Sequence, residues 1–178
     1  MKTHSRRAFL GRALTALPIL GTPRRLFAES GTVRALRFTH THTGERLAIE
    51  YFRSGMYLPD ALATVNHFLR DFRTGDVHDI DSDLLDLLYR LTAMTEASAP
   101  FQVISGYRSP VTNEMLRHRS EGVAAGSLHM KGQAIDIRLA DVPLATLRRA
   151  AVSAGRGGVG YYPASDFVHV DTGRVRTW

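Results

Sequence analysis

Two segments near residue 40 alternate apolar and polar side chains, which is the pattern of half-buried strands. The alternation covers residues 32–38 and again residues 46–52, and a period of two places every second side chain on one face of a sheet. The polar stretch 39–45 between them resembles a turn, so the sequence predicts a β-hairpin. His40 and His42 lie in that turn, and we expect both to be exposed surface residues rather than metal ligands.

Apolar residues recur at helical spacing in further segments, and these segments carry start signals. Pro59 suits the first turn of one helix, and Asp81 is a favourable N-cap for the next. The second of these helices has the richest apolar face, so we expect it to be the central helix of the core. The predicted helices cover residues 59–72, 81–97, 110–119 and 142–154.

Short apolar runs between the helices predict further strands. The runs are bounded by glycine, proline or polar residues, as strands usually are. The chain shows no internal repeat, no linker and no second core, so we expect one domain over residues 29–178. These further strands are predicted over residues 100–105, 134–139, 157–163 and 167–171.

The positive charge of the chain is concentrated in its first residues. The 178-residue chain has 23 Lys and Arg against 17 Asp and Glu, a formal net charge of +6. Residues 1–28 hold six of the basic residues and no acid, so the remainder is formally neutral. A neutral domain lacks the basic surface that nucleic-acid binding needs, so we expect no nucleic-acid partner.

The first 28 residues have the layout of an export signal. Arg6 and Arg7 precede an apolar run over residues 13–20, which resembles a twin-arginine signal. The run is too short to span a bilayer as a finished helix, so we expect no membrane span in the mature chain. We therefore exclude 1–28 from the fold and expect an exported, monomeric protein of the periplasm or cell envelope, cleaved near Ala28. An amphipathic N-terminal helix or a basic tail is the alternative interpretation.

Two histidines and one aspartate interrupt apolar segments in the C-terminal half of the chain. Asp136 lies between Ile135 and Ile137, where a carboxylate is costly unless a cation meets it. The chain has no cysteine, so a metal site must use imidazole and carboxylate ligands. Two His and one Asp with an open position for water are typical of a catalytic zinc, so His129, Asp136 and His169 are the predicted ligands.

A hydrolytic zinc site also needs a proton acceptor and a cation that faces the substrate. Asp166 stands three positions before His169, and we favour it as the base. Asp171 shares a strand face with His169, so it is either the base or the group that fixes the tautomer of this ligand. Arg108 follows a strand end and offers a positive fork for a substrate carboxylate or a developing oxyanion.

Each of these signals also has an ordinary structural explanation. A His-x6-Asp spacing arises by chance in many chains, and an aspartate in a strand often pairs with an arginine. The metal site is favoured because His169 lies in a second apolar run, and because Arg108 follows a strand end in the same region.

The segments that contain these residues resemble a known family of zinc peptidases. The family includes D-Ala-D-Ala dipeptidases and carboxypeptidases, and the chain is similar in particular to its YcbK/MepK-like branch of murein endopeptidases. The resemblance covers roughly residues 33–178 and rests on the segments 105–110, 127–136, 158–163 and 167–173.

The resemblance implies a fold class and a set of roles. It implies a single α+β domain with a small, mostly antiparallel sheet flanked by helices, as in hedgehog and DD-peptidase folds. Relatives often carry Glu-x-x-His or His-x-His around the last ligand, whereas this chain has Asp166 and Asp171 there, so the base stays open. The implied roles are zinc binding by His129, Asp136 and His169, a transition-state contact by Arg108, and substrate binding by Ser127, Arg108 and Tyr107.

The branch implies hydrolysis of peptide cross-links in peptidoglycan, notably those that join two diaminopimelate residues. One alternative is a module of the same fold that has lost catalysis and only binds peptidoglycan, and another is a D-Ala-D-Ala carboxypeptidase. The three intact ligands, His129, Asp136 and His169, argue against a decayed site.

Overall fold

One mixed sheet carries three of the candidate site residues, Asp136, His169 and Asp171. In the computed structural model, Met1 and residues 32–119 and 123–178 are described. The strands are β1 (Val33–His40), β2 (Arg46–Arg53), β3 (Met56–Tyr57), β4 (Phe101–Ser105), β5 (Ala134–Leu139), β6 (Gly158–Tyr162), β7 (Phe167–Asp171) and β8 (Arg176–Thr177).

The helices follow the sequence signals closely. The Asp81 carboxylate accepts from the Asp83 N–H at 3.0 Å and so caps the second helix. The helices are α1 (Pro59–Phe68), α2 (Ser82–Thr95), α3 (Pro110–Arg119) and α4 (Leu144–Ala154), and 3-10 helices cover Leu128–Lys131 and Pro163–Ser165.

The sheet has the strand order β3-β2-β1-β4-β5-β7-β6-β8. The pairs β1–β4 and β6–β8 are parallel, and the other pairs are antiparallel. The α+β prediction is therefore confirmed, although the sheet is larger than expected and mixed. Residues 31–178 form one compact unit, and the leader predicted over residues 1–28 lies outside the described residues except for Met1.

The core lies on one face of the sheet, against α2 and α4. Alternate side chains of β5 and β7, such as Ile135, Ile137 and Val168, are fully buried there. Each fully buried aliphatic side chain of this kind contributes about 1.5–3 kcal/mol. The prediction of a central helix is confirmed, because α2 buries Leu84, Leu85, Leu87, Leu88 and Leu91.

The opposite face of β5 and β7 is polar, because the alternation that buries Ile135 and Ile137 turns Asp136 to the other side. His169 of β7 has the same orientation and pairs directly with Asp136 in the strand register. A slip of one residue would exchange these side chains with the core. The apolar alternation therefore determines which face carries the candidate site.

Three details differ from the sequence prediction. Helix α1 ends at Phe68, not residue 72, and β3 and β8 were not predicted because two residues show no periodicity. The expected exposure of His40 is wrong. Strand β1 extends to this residue, and His40 is 1% exposed, with its ring centroid 5.4 Å from that of Phe72.

In the parts of the chain that the structure describes, every helix is too short or too polar to cross a bilayer.

Candidate metal centre

His129 reaches the polar face of the sheet from a short 3-10 helix. This helix, Leu128–Lys131, ends at Gly132, whose φ is +65°. A Cβ at Gly132 would overlap the carbonyl of Asp79, so glycine is required both by the backbone angle and by the space. The turn leads directly into β5, and this geometry explains why a glycine stands between His129 and Asp136.

The three predicted ligands converge. Asp136 Oδ1 lies 2.9 Å from His169 Nδ1 and 3.3 Å from His129 Nε2, and the two ring nitrogens are 3.2 Å apart. The three residues are buried, and one ligand atom from each lies within 4.8 Å of the others. The structure therefore brings His129, Asp136 and His169 together as a group that could hold a metal ion.

The far nitrogen of each imidazole is anchored. Nδ1 of His129 lies 2.7 Å from the Gly106 carbonyl, which can only accept, so Nδ1 carries the hydrogen and Nε2 faces the group. Nε2 of His169 lies 3.1 Å from Asp171 Oδ2 and donates to it, which leaves Nδ1 for the group. Histidine ligands of metals characteristically have such partners.

Asp171 is held by several donors behind His169. Its Oδ1 accepts from the N–H of Gly158 and from that of Gly173, both at 2.9 Å. Its Oδ2 accepts from Arg176 Nη2 at 2.7 Å as well as from His169. With five donor contacts, counting a second one from Arg176, this fully buried carboxylate is positioned to orient the imidazole.

The buried carboxylates and His169 have shifted pKa values. Burial alone would raise the pKa of Asp136, but the charges and hydrogen bonds of His129 and His169 outweigh burial and hold it well below its usual range. Burial lowers the pKa of His169, but hydrogen bonds and charges from Asp136 and Asp171 outweigh it and raise that pKa to about 9. Positive charge is therefore strongly favoured at this point of the sheet.

These residues fit a divalent metal ion such as zinc. Two imidazole nitrogens with fixed tautomers and one carboxylate oxygen are typical zinc ligands, and three protein ligands are the set of a catalytic site. The group lies in the floor of a cleft of about 560 Å³, so its solvent side is accessible to a water and a substrate. A cation here would also compensate the buried carboxylate.

Arg108 lies at the edge of the same group. Its Nη2 is 3.7 Å from Asp136 Oδ2, and its backbone N–H donates to the His129 carbonyl at 3.2 Å. Burial lowers the pKa of this guanidinium, and the Asp136 charge counteracts that effect. Since Arg108 is 9% exposed and lines the cleft, it presents its charge where a substrate would bind.

The loop that carries Arg108 is held by residues after helix α1. The Tyr107 N–H donates to the Leu69 carbonyl at 2.8 Å, and the Ser109 N–H donates to the Asp71 carboxylate at 2.9 Å. A Cβ at Gly106 would lie 2.6 Å from the Leu69 oxygen, so this close approach requires glycine.

The other predicted site residues, Ser127, Tyr107 and Asp166, do not all lie at the cleft that contains the three ligands. Ser127 lines the cleft and does not cap the helix that it precedes. Tyr107 stacks on His78 with ring centroids 4.8 Å apart and is not among the cleft-lining residues. Asp166 accepts from Arg138 at 2.9 Å and lines a separate cleft, so the structure does not bring it to the ligand group.

Several residues of the site were not predicted as site residues from the sequence. Asp71 lies in a turn 38 positions before its partner Ser109, and sequence periodicity does not report such long-range pairs. Tyr162 and Trp178 line the cleft, and Arg176 binds Asp171. For Arg176 and Trp178, the available signal was the basic and aromatic side chains after Asp171, and Tyr162 lies in the segment 158–163 that resembles the family.

The structure thus combines an α+β fold with a buried His-Asp-His group that could hold a metal ion, as in metallopeptidases. The sequence model of the family described as peptidoglycan L,D-endopeptidase MepK matches residues 28–178. The chain belongs to this family of M15 peptidases.

Individual relatives support the assignment over nearly the whole chain. The chain is similar to the peptidoglycan L,D-endopeptidase MepK of Escherichia coli K12, with 45% identity over 169 residues that cover 95% of this chain and 93% of the relative. The protein of the same name from Shigella flexneri gives the same values. The probable peptidoglycan L,D-endopeptidase MepK of Haemophilus influenzae is 43% identical over 177 residues, which cover 98% of this chain and 95% of that protein.

Proposed function

We propose that this protein is a zinc-dependent murein endopeptidase that hydrolyses peptide cross-links joining two diaminopimelate residues. The single observation that carries the proposal is the convergence of His129, Asp136 and His169 in the floor of a cleft beside Arg108. The names of the relatives support the choice of peptidoglycan as substrate and of an L,D linkage as the bond.

The proposed ligands would hold zinc through His129 Nε2, His169 Nδ1 and a carboxylate oxygen of Asp136. Zinc bound there would polarise a scissile carbonyl and lower the pKa of a bound water to about 7, which would supply a nucleophile at neutral pH. Asp171 keeps His169 in the tautomer that leaves Nδ1 unprotonated. The Gly106 carbonyl accepts from the Nδ1–H of His129 and so keeps that ring in the tautomer that leaves Nε2 unprotonated.

The substrate-facing roles follow from the lining of the cleft. In this proposal Arg108 binds a substrate carboxylate or the oxyanion that forms during hydrolysis. The position of its guanidinium beside Asp136 and in the lining of the cleft supports this role. Ser127 lies at the opening of the 3-10 helix that carries His129, where its hydroxyl can bond the peptide backbone of a substrate.

Asp166 and Asp171 are the two candidates for the proton acceptor. Asp171 is fully buried and bound by five donor contacts, so we assign it to the orientation of His169 and not to proton transfer. Asp166 as the base requires its carboxylate to leave Arg138, and this role is a prediction tested below.

We also propose that the enzyme acts in the periplasm or cell envelope. Its substrate class is located there, and residues 1–28 have the paired arginines and apolar run of an export signal. Fusion of residues 1–28 to a reporter, with Arg6 and Arg7 replaced by Lys in a matched fusion, tests the twin-arginine route. Export that is unaffected by the double replacement would contradict it.

The function is tested with purified muropeptides of defined linkage. Dimers joined through two diaminopimelate residues are incubated with the zinc-loaded protein, and the products are weighed by mass spectrometry. We expect cleavage to two monomers, loss of cleavage with a chelator and recovery with added zinc. Removal of only a terminal D-Ala would indicate a carboxypeptidase, and binding without products would indicate the inactive module.

A further inference from the structure

Two aromatic rings with polar groups meet at one side of the cleft. The Trp178 indole Nε1–H donates to the hydroxyl oxygen of Tyr162 at 2.8 Å. Gly160 pairs with His169 across β6 and β7, and a Cβ at Gly160 would lie 2.8 Å from atoms of both rings. The two rings therefore lie beside His169, a proposed ligand, in the space that a side chain at position 160 would otherwise fill.

The direction of this hydrogen bond leaves the Tyr162 hydroxyl able to donate. An indole N–H has no acceptor capacity, so the phenol oxygen accepts and its own hydrogen is available for another partner. Tyr162 lines the same cleft as Arg108, His129, Asp136 and His169. The available hydrogen therefore belongs to a group at the wall of the reaction cleft.

The phenol ring is held in place by its neighbours. Tyr162 stacks on Phe167 with centroids 4.5 Å apart and an interplanar angle of 19°. Trp178 is held by the backbone, because its N–H donates to the Val159 carbonyl and its carbonyl accepts from Tyr161. A donor fixed before the substrate arrives costs no reorganisation during the reaction.

The strand order places this donor on the side of the ligand group away from Arg108. Arg108 follows β4, the ligands Asp136 and His169 lie on β5 and β7, and Tyr162 ends β6. A carbonyl that reacts above the central pair of strands would thus have a fixed hydrogen-bonding group on each side.

We propose that Tyr162 is a catalytic hydrogen-bond donor in this cleft, and that Trp178 is the positioning residue that aims its hydroxyl. The role rests on the proposed peptidase function. When water adds to the scissile carbonyl carbon, the π electrons move to the carbonyl oxygen, and this oxyanion accepts from the Tyr162 O–H. When the C–N bond breaks, its electron pair stays on nitrogen, which takes up the proton that the water lost, and Tyr162 keeps its own proton throughout.

The chain offers a matched control at the preceding position. Tyr161 has its ring on the other side of β6, where the Arg148 guanidinium lies 5.3 Å from the ring centroid. The Tyr161→Phe variant removes a hydroxyl from the same strand without changing the cleft. We expect its kinetics and melting temperature to match those of the wild type.

The test compares single and double variants on muropeptides cross-linked through two diaminopimelate residues. We expect Tyr162→Phe to lower kcat about a hundredfold, as removal of one oxyanion donor does, while KM changes by less than about threefold. Trp178→Phe keeps a ring but loses the N–H, and we expect a loss of about tenfold in kcat. Because Trp178 acts through Tyr162, the double variant should be no slower than Tyr162→Phe alone.

A binding measurement separates this role from a structural one. The probe is a phosphinic dipeptide in which a tetrahedral phosphorus replaces the scissile carbonyl between two diaminopimelate residues. We expect Tyr162→Phe to weaken binding of this anion about a hundredfold, with an unchanged zinc content and almost unchanged binding of the uncleaved peptide to a chelator-treated protein.

Defined outcomes would overturn the proposal. A cleavage rate that Tyr162→Phe leaves within about twofold of the wild type would remove the catalytic role of Tyr162. Effects of the two variants that multiply would show that Trp178 does not act through Tyr162 and would remove its positioning role. Either result leaves the peptidase function intact. A zinc-loaded wild-type protein that cleaves no cross-link would overturn the peptidase function and this role together.

Discussion

The Ser109 backbone N–H donates to the Asp71 carboxylate at 2.9 Å, although the residues lie 38 positions apart. Asp71 is 1% exposed and also accepts from the Arg73 N–H. Burial raises its pKa, but hydrogen bonds from Thr112, Ser109 and Arg73 outweigh burial and lower it. A single carboxylate thus ties the loop containing Arg108 to the turn after α1.

Replacement of Asp71 by alanine should affect both stability and catalysis. The change leaves buried N–H groups without a partner, which costs about 1–3 kcal/mol each, and it releases the loop that positions Arg108. We expect a lower melting temperature and a lower kcat/KM with zinc still bound. Asp76→Ala removes an exposed carboxylate from the same turn and is the control. Unchanged kinetics in a destabilised Asp71→Ala protein would show that the loop is held by other contacts.

Each proposed ligand should be required for metal binding. His129→Ala, Asp136→Ala and His169→Ala each remove one of three ligand atoms, so we expect zinc content, measured by mass spectrometry of the protein's metals, to fall from about one per chain to near zero. Activity should be lost in parallel. The exposed His67 gives the control variant His67→Ala. Zinc retained at full stoichiometry in all three ligand variants would exclude this metal site.

Asp171 and Arg176 should tune zinc affinity without touching the ion. Asp171→Asn disturbs the partner of His169, and changes of this kind typically weaken metal binding about 10–100-fold. Arg176→Met should have a smaller effect in the same direction, and Arg176→Lys should restore part of it because Lys can still donate to Asp171. Competition with a chromogenic chelator measures the affinities, with Arg174→Met as an exposed control. Zinc affinities in the Asp171 and Arg176 variants that equal those of the wild type and of the Arg174→Met control would contradict the positioning role.

The role of Asp166 can be separated from that of a surface ion pair. If Asp166 is the base, Asp166→Asn retains zinc and lowers kcat strongly, by about 10²–10⁴-fold. If it only pairs with Arg138, its exposed position predicts a stability change of about 0–1 kcal/mol and normal kinetics. The kinetic constants of Asp166→Asn and of Arg138→Gln decide between the two, because only a base makes the first variant far slower than the second.

Protonation of His40 in mild acid should lower the free energy of unfolding. Burial and the neighbouring His42 lower its pKa from 6.5, with Glu45 and Arg70 as the other nearby charges. The folded state therefore resists a proton that the unfolded chain accepts, so this contribution is present above pH 6.5 and is lost as the pH falls below it.

The measurement is the melting temperature of the zinc-loaded protein between pH 5 and 7.5. His40→Asn keeps an acceptor near the His40 Nδ1 position, which accepts from the N–H of His42 at 3.2 Å and that of Thr43 at 3.4 Å, but it lacks the titrating ring. We expect this variant to be less stable at pH 7.5 and to lose less stability on acidification than the wild type. Parallel pH profiles would show that His40 does not titrate in this range.

The central part of the fold could be predicted because periodicity reports local burial. The strand containing Asp136 and the helix α2 have strong apolar patterns, and both were predicted close to their final bounds. Periodicity does not predict which strands pair with each other. The parallel pair β1–β4 joins Phe38 to Phe101, and no local pattern in the sequence reports a contact over that separation.

The site was predictable to the extent that its chemistry requires particular residue types. Two histidines and a buried aspartate indicate a group that could hold a metal ion, because imidazole and carboxylate are typical metal ligands. The spacing of residues along the chain does not determine where a side chain points, and Asp166 is an example. Its position before His169 suggested a catalytic partner, but Asp166 adopts a left-handed backbone with φ of +52° and its carboxylate binds Arg138.

The close backbone approaches around the centre have a consequence for mutational tolerance. A methyl group at Gly157 would overlap the carbonyl of Asp171, and one at Gly158 would overlap the Arg176 and Asp171 side chains. A saturation library should therefore register both glycines as intolerant to every other amino acid, although neither is among the residues that line the cleft. In a fitness map such positions would resemble active-site residues. Measurement of metal content in the variants would show instead that the two glycines leave room for Asp171 and Arg176, which orient His169.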